Sequence, residues 1–472
     1  MRKLCAGLGV SAAIVCGIAY SSFARTPDQQ DFQKLERGRY LVTAGDCAAC
    51  HTRPDGGAPF AGGRPIETPF GNVVSANITP DKQTGIGAWS DDDFDKAVRQ
   101  GVAPDGSRLY PAMPYTSYTK MTREDVDAMH AYLSTIAPVH NEVHSDTLPF
   151  PLSIRWGMNV WDFFFFDPGT YTPDHTKSAE WNRGAYLVQG PGHCGACHTP
   201  KNFAGADKSG EFLQGANLQS WFAPDITNDA RDGLGRWSVD DIVKYLKTGH
   251  NPISGATGPM SEEIAHASSG MSDGDLKAIA TYLKSLKSPS GHDDDQKPLA
   301  ADDPQMKAGA AIYRDQCSAC HQIDGKGVPN LFPALANSSQ MRSDDPATLL
   351  RVILQGARSV ATKGEPTGPG MPSFAWQLTN DQIAAVATYI RNAWGSAAPA
   401  VSADTVANSR KDLASRSQGW ARGQNVPLEQ NAAPLSDLRP ISSPPRPVSQ
   451  ASDSNAHRHR PPASPTRPRW LP

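Results

Sequence analysis

Three stretches of this 472-residue chain place two thiols and an imidazole at one spacing: Cys47-Ala48-Ala49-Cys50-His51, Cys194-Gly195-Ala196-Cys197-His198 and Cys317-Ser318-Ala319-Cys320-His321. They use six of the eight cysteines, and the other two, Cys5 and Cys16, lie in the first apolar segment. Two thiols separated by two residues can bond covalently to the two vinyl carbons of one haem. A histidine directly after the second can turn its ring to the iron. A thioredoxin-like redox pair does not demand that histidine in all three places, and a zinc site gathers four ligands from paired clusters. A two-residue gap is also an odd framework for disulfides that must hold distant loops. The expectation is three covalently bound haem c groups.

The far side of each iron needs a sixth ligand or stays open, and that choice separates an electron carrier from a catalyst. Met113, in Tyr110-Pro111-Ala112-Met113-Pro114, follows His51 by 62 residues, and Met260, in Thr257-Gly258-Pro259-Met260, follows His198 by the same 62. Met371, in Gly368-Pro369-Gly370-Met371-Pro372, follows His321 by 50 residues. All three stand in Pro- and Gly-bounded turns, which are rigid. The axial pairs expected are therefore His51 with Met113, His198 with Met260, and His321 with Met371. Methionine also fills cores, and Met271 competes with Met260, while Met121 and Met129 are weaker candidates around a predicted helix.

The elements that must position these groups recur. Arg37-Gly38 with Tyr40-Leu41-Val42 precedes the first motif, and Arg183-Gly184 with Tyr186-Leu187-Val188 precedes the second. Asn77-Ile78-Thr79 and Trp89-Ser90 return as Asp225-Ile226-Thr227 and Trp237-Ser238, 148 positions later. Ser90 and Ser238 each open an S-x-x-D helix start. Further capped helices are predicted from Thr122, Ser272 and Thr379. Asp91-Asp92-Asp93 reads as helix-start charge and Asp293-Asp294-Asp295 as a solvated linker rather than metal sites. Each unit reads as a small helical wrap around a haem, whose apolar face adds core that roughly 100 residues alone provide only marginally. The division expected is a leader at 1–24, helical units at 25–140, 177–290 and 304–396, linkers at 141–176 and 291–303, and a tail at 397–472.

A net charge of −3 supplies no field of the kind nucleic-acid binders carry. Met1-Arg2-Lys3, the apolar run from Leu4 to Tyr20 and Ser22-Phe23-Ala24 have the form of a cleaved secretory signal. The tail holds twelve prolines, with ten Lys and Arg against five Asp and Glu, and reads as disordered. It is either a solubilising extension or a basic segment drawn to anionic lipid or an acidic partner. His457 and His459 read as solvated tail residues. Trp156, Trp161 and Phe163-Phe164-Phe165-Phe166 suit a membrane headgroup belt, a subunit contact or packing between two units.

From about Phe32 to Gly395 the chain resembles the triheme cytochrome c subunits of membrane-bound bacterial dehydrogenases, those that accompany alcohol, gluconate, sorbitol or fructose dehydrogenases. The resemblance is carried by the three motifs, by Glu180-Trp181-Asn182-Arg183-Gly184-Ala185-Tyr186-Leu187-Val188, and by Gly258-Pro259-Met260-Ser261-Glu262. It implies an all-α protein of three tandem cytochrome c-like domains. The implied role is passage of electrons from a periplasmic catalytic subunit, dependent on PQQ, flavin or molybdenum, to membrane ubiquinone or another acceptor, with no bond chemistry of its own. It also implies a place on the outer face of the cytoplasmic membrane. Molybdenum hydroxylases can have similar partners, so the donor's substrate stays open. The alternatives are a free-standing soluble multihaem carrier, and a multihaem peroxidase or reductase with one open iron.

Overall fold

A computed structural model describes residues 27–144, 148–218, 220–287 and 297–415. The predicted leader, Asp293 to Asp295, His457 and His459 lie outside the described residues. The architecture is carried by helices α1 (Pro27–Ala44), α2 (Asp91–Gln100), α3 (Arg123–Leu133), α4 (Gly157–Phe165), α5 (Ala179–Gln189) and α6 (Val239–Thr248). They are followed by α7 (Pro259–His266), α8 (Asp273–Ser285), α9 (Pro304–Gln316), α10 (Ala347–Gln355), α11 (Asn380–Asn392) and α12 (Ala403–Ser415). Sheet among the described residues is confined to small antiparallel hairpins. These are β1 (Pro65–Thr68) with β2 (Gly71–Val74), β3 (Gln214–Leu218) with β4 (Trp221–Asp225), and β5 (Ala357–Arg358) with β6 (Gly370–Met371). Pro65 faces Val74, Gln214 faces Asp225 and Ala357 faces Met371 in their registers. The protein is mostly helical, as expected.

One helix pair occurs three times: α1 on α3, α5 on α8, and α9 on α11. The reason is a glycine at each crossing. A Cβ at Gly38, Gly184 or Gly309 would stand 1.9, 1.9 or 2.2 Å from the carbonyl oxygens of Ala128, Ala278 and Ala385, so only a hydrogen fits there. Leu41, Val126 and Leu133 form part of the first core, Leu187, Leu276 and Leu283 part of the second, and Tyr313, Leu350 and Ile383 part of the third.

The helix starts follow the predicted caps. Ser90 and Ser238 accept from the amides of Asp93 and Asp241, whose carboxylates return the bond in closed capping boxes. Asp91, Asp92 and Asp93 do occupy the first turn of α2. Gly101 and Gly249 end α2 and α6 in the left-handed conformation, at φ 65° and 83°. Thr122, Ser272 and Thr379 cap α3, α8 and α11.

The first two helix pairs join through a near-symmetrical exchange. Tyr186 donates its hydroxyl to Asp125, which also takes Arg37. In the mirrored half, Tyr40 donates to Asp275 at 2.6 Å, and Arg183 grips the same carboxylate with two bonds of 2.8 Å. The cap amides of Thr122 and Ser272 then donate to the hydroxyls of Tyr186 and Tyr40, at 3.3 and 3.2 Å. Each tyrosine thus completes a helix cap on the other body.

The third body docks on the β3–β4 hairpin. The amide of Phe222 donates to Thr348 Oγ1 at 2.9 Å, and that hydroxyl donates back to the Phe222 carbonyl at 3.0 Å. The Arg351 guanidinium lies 4.4 Å above the Trp221 ring. Residues 397–415 correct the expectation of a structureless tail from Ala397. Helix α12 buries Val406 and Leu413 in the third core, Arg410 donates to Asn380 Oδ1 and to the carbonyls of Ala375 and Leu378, and Asp412 takes the hydroxyl of Ser220. The rest of the predicted tail, 416–472, lies outside the described residues. Among the described residues no helix is long and apolar enough to cross a membrane.

Candidate haem-attachment sites

Each thiol motif folds as one short helical turn, Cys47–His51, Cys194–His198 and Ser318–His321, with Cys317 as the N-cap of the third. The first two turns are entered through left-handed residues, Asp46 at φ 50° and His193 at φ 35°, a conformation uncommon without glycine. It reverses the chain leaving α1 or α5, so that the motif turns back across the helix end.

The three histidines share one arrangement. His51 Nδ1 lies 2.7 Å from the carbonyl of Ala76, His198 Nδ1 2.7 Å from that of Pro224, and His321 Nδ1 3.0 Å from that of Pro333. A carbonyl can only accept, so each Nδ1 carries the hydrogen and each Nε2 keeps its lone pair. Hairpins supply the first two acceptors: Ala76 follows β2 and Pro224 lies in β4. Burial lowers the pKa of all three rings, against the opposing pull of the carbonyls, which favours the neutral, ligating form. The threonines after the first two histidines brace the same loops, Thr52 Oγ1 accepting from Phe60 N and Thr199 Oγ1 from Leu213 N, both at 3.1 Å.

The six motif cysteines form no disulfide. Burial pushes the thiols of Cys47 and Cys194 up to about 12 and that of Cys317 up to about 11. A thioredoxin-like pair is activated by the opposite shift. Among the described residues no three His, Cys, Asp or Glu side chains gather as a metal cage. Paired thiols beside a neutral imidazole with a free Nε2 fit covalent haem and axial nitrogen ligation.

Met113 and Cys47 pack against one apolar core, and Met371 and Cys317 against another. Met260 differs: Cys194 packs on the second core, whereas Met260 sits on a separate small cluster of Ala256, Ile264 and Val360, the last from the third body. The competing methionines Met121, Met129 and Met271 are buried in the cores. Met113, Met260 and Met371 are half-buried, in the loop before α3, the first turn of α7, and β6.

The first two motifs are neighbours, which the spacing alone did not disclose. Arg64 donates to the Ala49 carbonyl at 2.6 Å and to Glu262 on α7 at 2.7 Å, tying the first motif to the helix that carries Met260. Tyr118 donates to the Gly45 carbonyl at 2.8 Å, and its ring meets that of His193 edge-on at 5.5 Å. Between the motifs, burial and then the nearby Glu263 and Glu262 hold the Asp46 carboxyl well above the ordinary range. None of Arg64, Tyr118 and Asp46 belongs to a motif, so no local pattern announces them.

Comparison with known proteins gives one picture. The family model described as Cytochrome c matches residues 35–137 and 306–394. The chain is 42% identical over 421 residues to the gluconate 2-dehydrogenase cytochrome c subunit of Pantoea cypripedii, covering 85% of this chain and 94% of that one. It is 40% identical over 428 residues to the cytochrome c subunit of the quinone alcohol dehydrogenase of Gluconacetobacter polyoxogenes, covering 87% and 91%. To the fructose dehydrogenase cytochrome subunit of Gluconobacter japonicus it is 39% identical over 433 residues, covering 87% of each.

Proposed function

Because the chain belongs to the family of cytochrome c subunits of bacterial dehydrogenases, we propose that it is a triheme electron-transfer subunit, carrying electrons from a periplasmic dehydrogenase catalytic subunit to membrane ubiquinone. The observation that carries the number three is the repeated histidine geometry. The middle motif lies between the two stretches matched as cytochrome c, yet His198 is held by a carbonyl at the same 2.7 Å as His51. A bound haem c would supply a reversible one-electron change at its iron.

The chain's own residues do the positioning. Cys47, Cys50, Cys194, Cys197, Cys317 and Cys320 would hold the macrocycles. The carbonyls of Ala76, Pro224 and Pro333 fix the orientation of His51, His198 and His321 and raise their basicity. Met113, Met260 and Met371 would close the far sides with sulfur, which favours the reduced state relative to a second imidazole. Arg64 and Tyr118 hold the first two motifs together, which keeps the first two centres near one another. The partner subunit, dependent on PQQ, flavin or molybdenum, brings the substrate chemistry, and the complex works at the outer face of the cytoplasmic membrane.

Mass analysis of the secreted, matured polypeptide tests this reading. Three added macrocycles are expected, each lost singly when Cys50, Cys197 or Cys320 is replaced together with its paired cysteine. Two macrocycles, with the Cys194 and Cys197 substitutions silent, would overturn the triheme assignment.

A further inference from the structure

Helix α4 is amphipathic in the reverse sense. On a surface helix, positions spaced four, three and one apart form a stripe, and the stripe facing water is ordinarily polar. Here the outward stripe, starting one residue before the helix, is Trp156, Val160, Phe163 and Phe164, with Trp156 72% and Phe163 82% exposed. The charged residue of the helix faces inward: Asp162 is buried, accepts from Tyr115 at 2.7 Å and pairs with Arg108 at 3.3 Å. Trp161 donates its indole N–H to the Ala204 carbonyl at 2.9 Å, so the helix is pinned against a second loop, whose tip is Phe203 at 93% exposure. The segment entering the helix adds Phe150, 81% exposed.

We propose that this ridge is a lipid-facing wedge, which seats the protein on a bilayer with α4 lying in the headgroup layer. The inference rests on the membrane role given above and names the surface that performs it. Three features select a bilayer over a protein partner. From Leu148 to Phe166 the charged residues are Arg155 and Asp162, and both are turned inward, Arg155 lying 4.2 Å over the Tyr110 ring and donating to the Arg108 carbonyl at 3.0 Å, so the ridge itself turns no charge outward, as seating among acyl chains requires. The ridge also has little polarity with which to register a protein surface, where about one hydrogen bond per 100–200 Å² is the rule. Its exposed amide, Asn159, already accepts from Arg108 at 2.9 Å and donates to the Trp156 carbonyl at 3.0 Å. Finally, the apolar rings project from three chain segments, Phe163 and Phe164 meeting edge-on at 5.1 Å and Phe150 and Phe203 standing on separate loops, a shape that a fluid acyl layer accommodates without a matching groove. A nine-residue helix is far too short to span a bilayer, which leaves the interfacial position.

Flotation of the full-length, haem-loaded protein with vesicles of phosphatidylethanolamine and phosphatidylglycerol tests the proposal. The assay is run at high salt, to screen the basic tail. Wild type floats, and Phe163→Ser/Phe164→Ser weakens partitioning by roughly 30-fold, with Phe150→Ser giving a smaller loss in the same direction. Hydrogen exchange on vesicle addition slows in residues 156–166. The proposal is overturned if the double variant floats like wild type, if wild type does not float, or if residues 156–166 are protected by the catalytic subunit and not by vesicles. Haem content and reducibility of the same preparations are read separately. A protein that carries its haems and accepts electrons while failing to float refutes the wedge and leaves the carrier role standing.

Discussion

Replacing Tyr186 by phenylalanine removes one oxygen atom and, by the geometry, two bonds across the contact between the first two bodies. The hydroxyl donates to Asp125 and accepts from the cap amide of Thr122. Asp125 is 2% exposed, so its oxygen cannot recover the bond from water. A bond to a buried charged acceptor contributes about 1.5–3 kcal/mol and a neutral one about 1 kcal/mol, giving roughly 3 kcal/mol in all. Arg37, on the same carboxylate, leaves 58% of its side chain in solvent, and such a pair contributes about 1 kcal/mol or less. The neutral tyrosine should therefore matter more than the charged arginine. Native-state hydrogen exchange on the first turn of α3 measures this directly. Protection should fall about 100-fold for Tyr186→Phe, at about 1.4 kcal/mol per decade, and less than about 10-fold for Arg37→Ala. If Arg37→Ala opens the turn as much as Tyr186→Phe, the solvent-screening argument fails. If Tyr186→Phe is silent, the exchange of helix caps between the bodies is not what holds them.

Met121→Ala, Met129→Ala and Met271→Ala should each cost about 2–5 kcal/mol of stability in urea while leaving the far-red sulfur-to-iron band intact, whereas Met113→Ala, Met260→Ala and Met371→Ala should each remove part of that band. Gly38→Ala, Gly184→Ala and Gly309→Ala should destabilise by about 1–3 kcal/mol or more despite alanine's better helix propensity, because the added carbon meets a carbonyl oxygen; a raised melting temperature would refute the crossing geometry. Acid should loosen the first contact. Burial alone would raise the pKa of Asp275, but Arg183 and Tyr40 outweigh it and hold it below the ordinary value, so its contribution is complete above about pH 4 and is lost as pH falls through the depressed folded value. Hydrogen exchange at the start of α8 should accelerate over that window, and Asp275→Asn should abolish the acceleration.

The thiol motifs and the caps were legible because their chemistry is local: haem attachment requires its residues within one turn, and a cap requires its partner three residues on. What joins distant segments was not legible. Arg37, Tyr40, Arg183 and Tyr186 stood out as a repeat, yet the repeat marked only similar units and could not say that each tyrosine reaches into the other one. The acceptors for the histidines are backbone carbonyls, which have no residue signature. Helix α12 has a thin apolar pattern of its own, which in the sequence alone reads as tail. Its order comes from Arg410 answering three acceptors around the start of α11, and from Asp412 reaching the β3–β4 hairpin.

The third body shows why one fold can repeat without repeating its contacts. Gly309 keeps the helix crossing, but Ala308 and Ala311 stand where the first two bodies have their arginine and tyrosine. Gln382 replaces Asp125 and Asp275, and it closes the Thr379 cap itself, its amide oxygen taking the Thr379 N–H at 2.9 Å. A helix that completes its own cap offers nothing to a neighbour's hydroxyl, so this face cannot enter the exchange that binds the other two. Buried arginines take over. Arg231 and Arg342 donate to each other's carbonyls at 3.1 and 3.0 Å across the junction, and within the third body Arg391 donates to the carbonyls of Pro399 and Asp344. The two junctions are thus made by different residue types, tyrosine on carboxylate in one and arginine on carbonyl in the other, although each body carries the same helix pair.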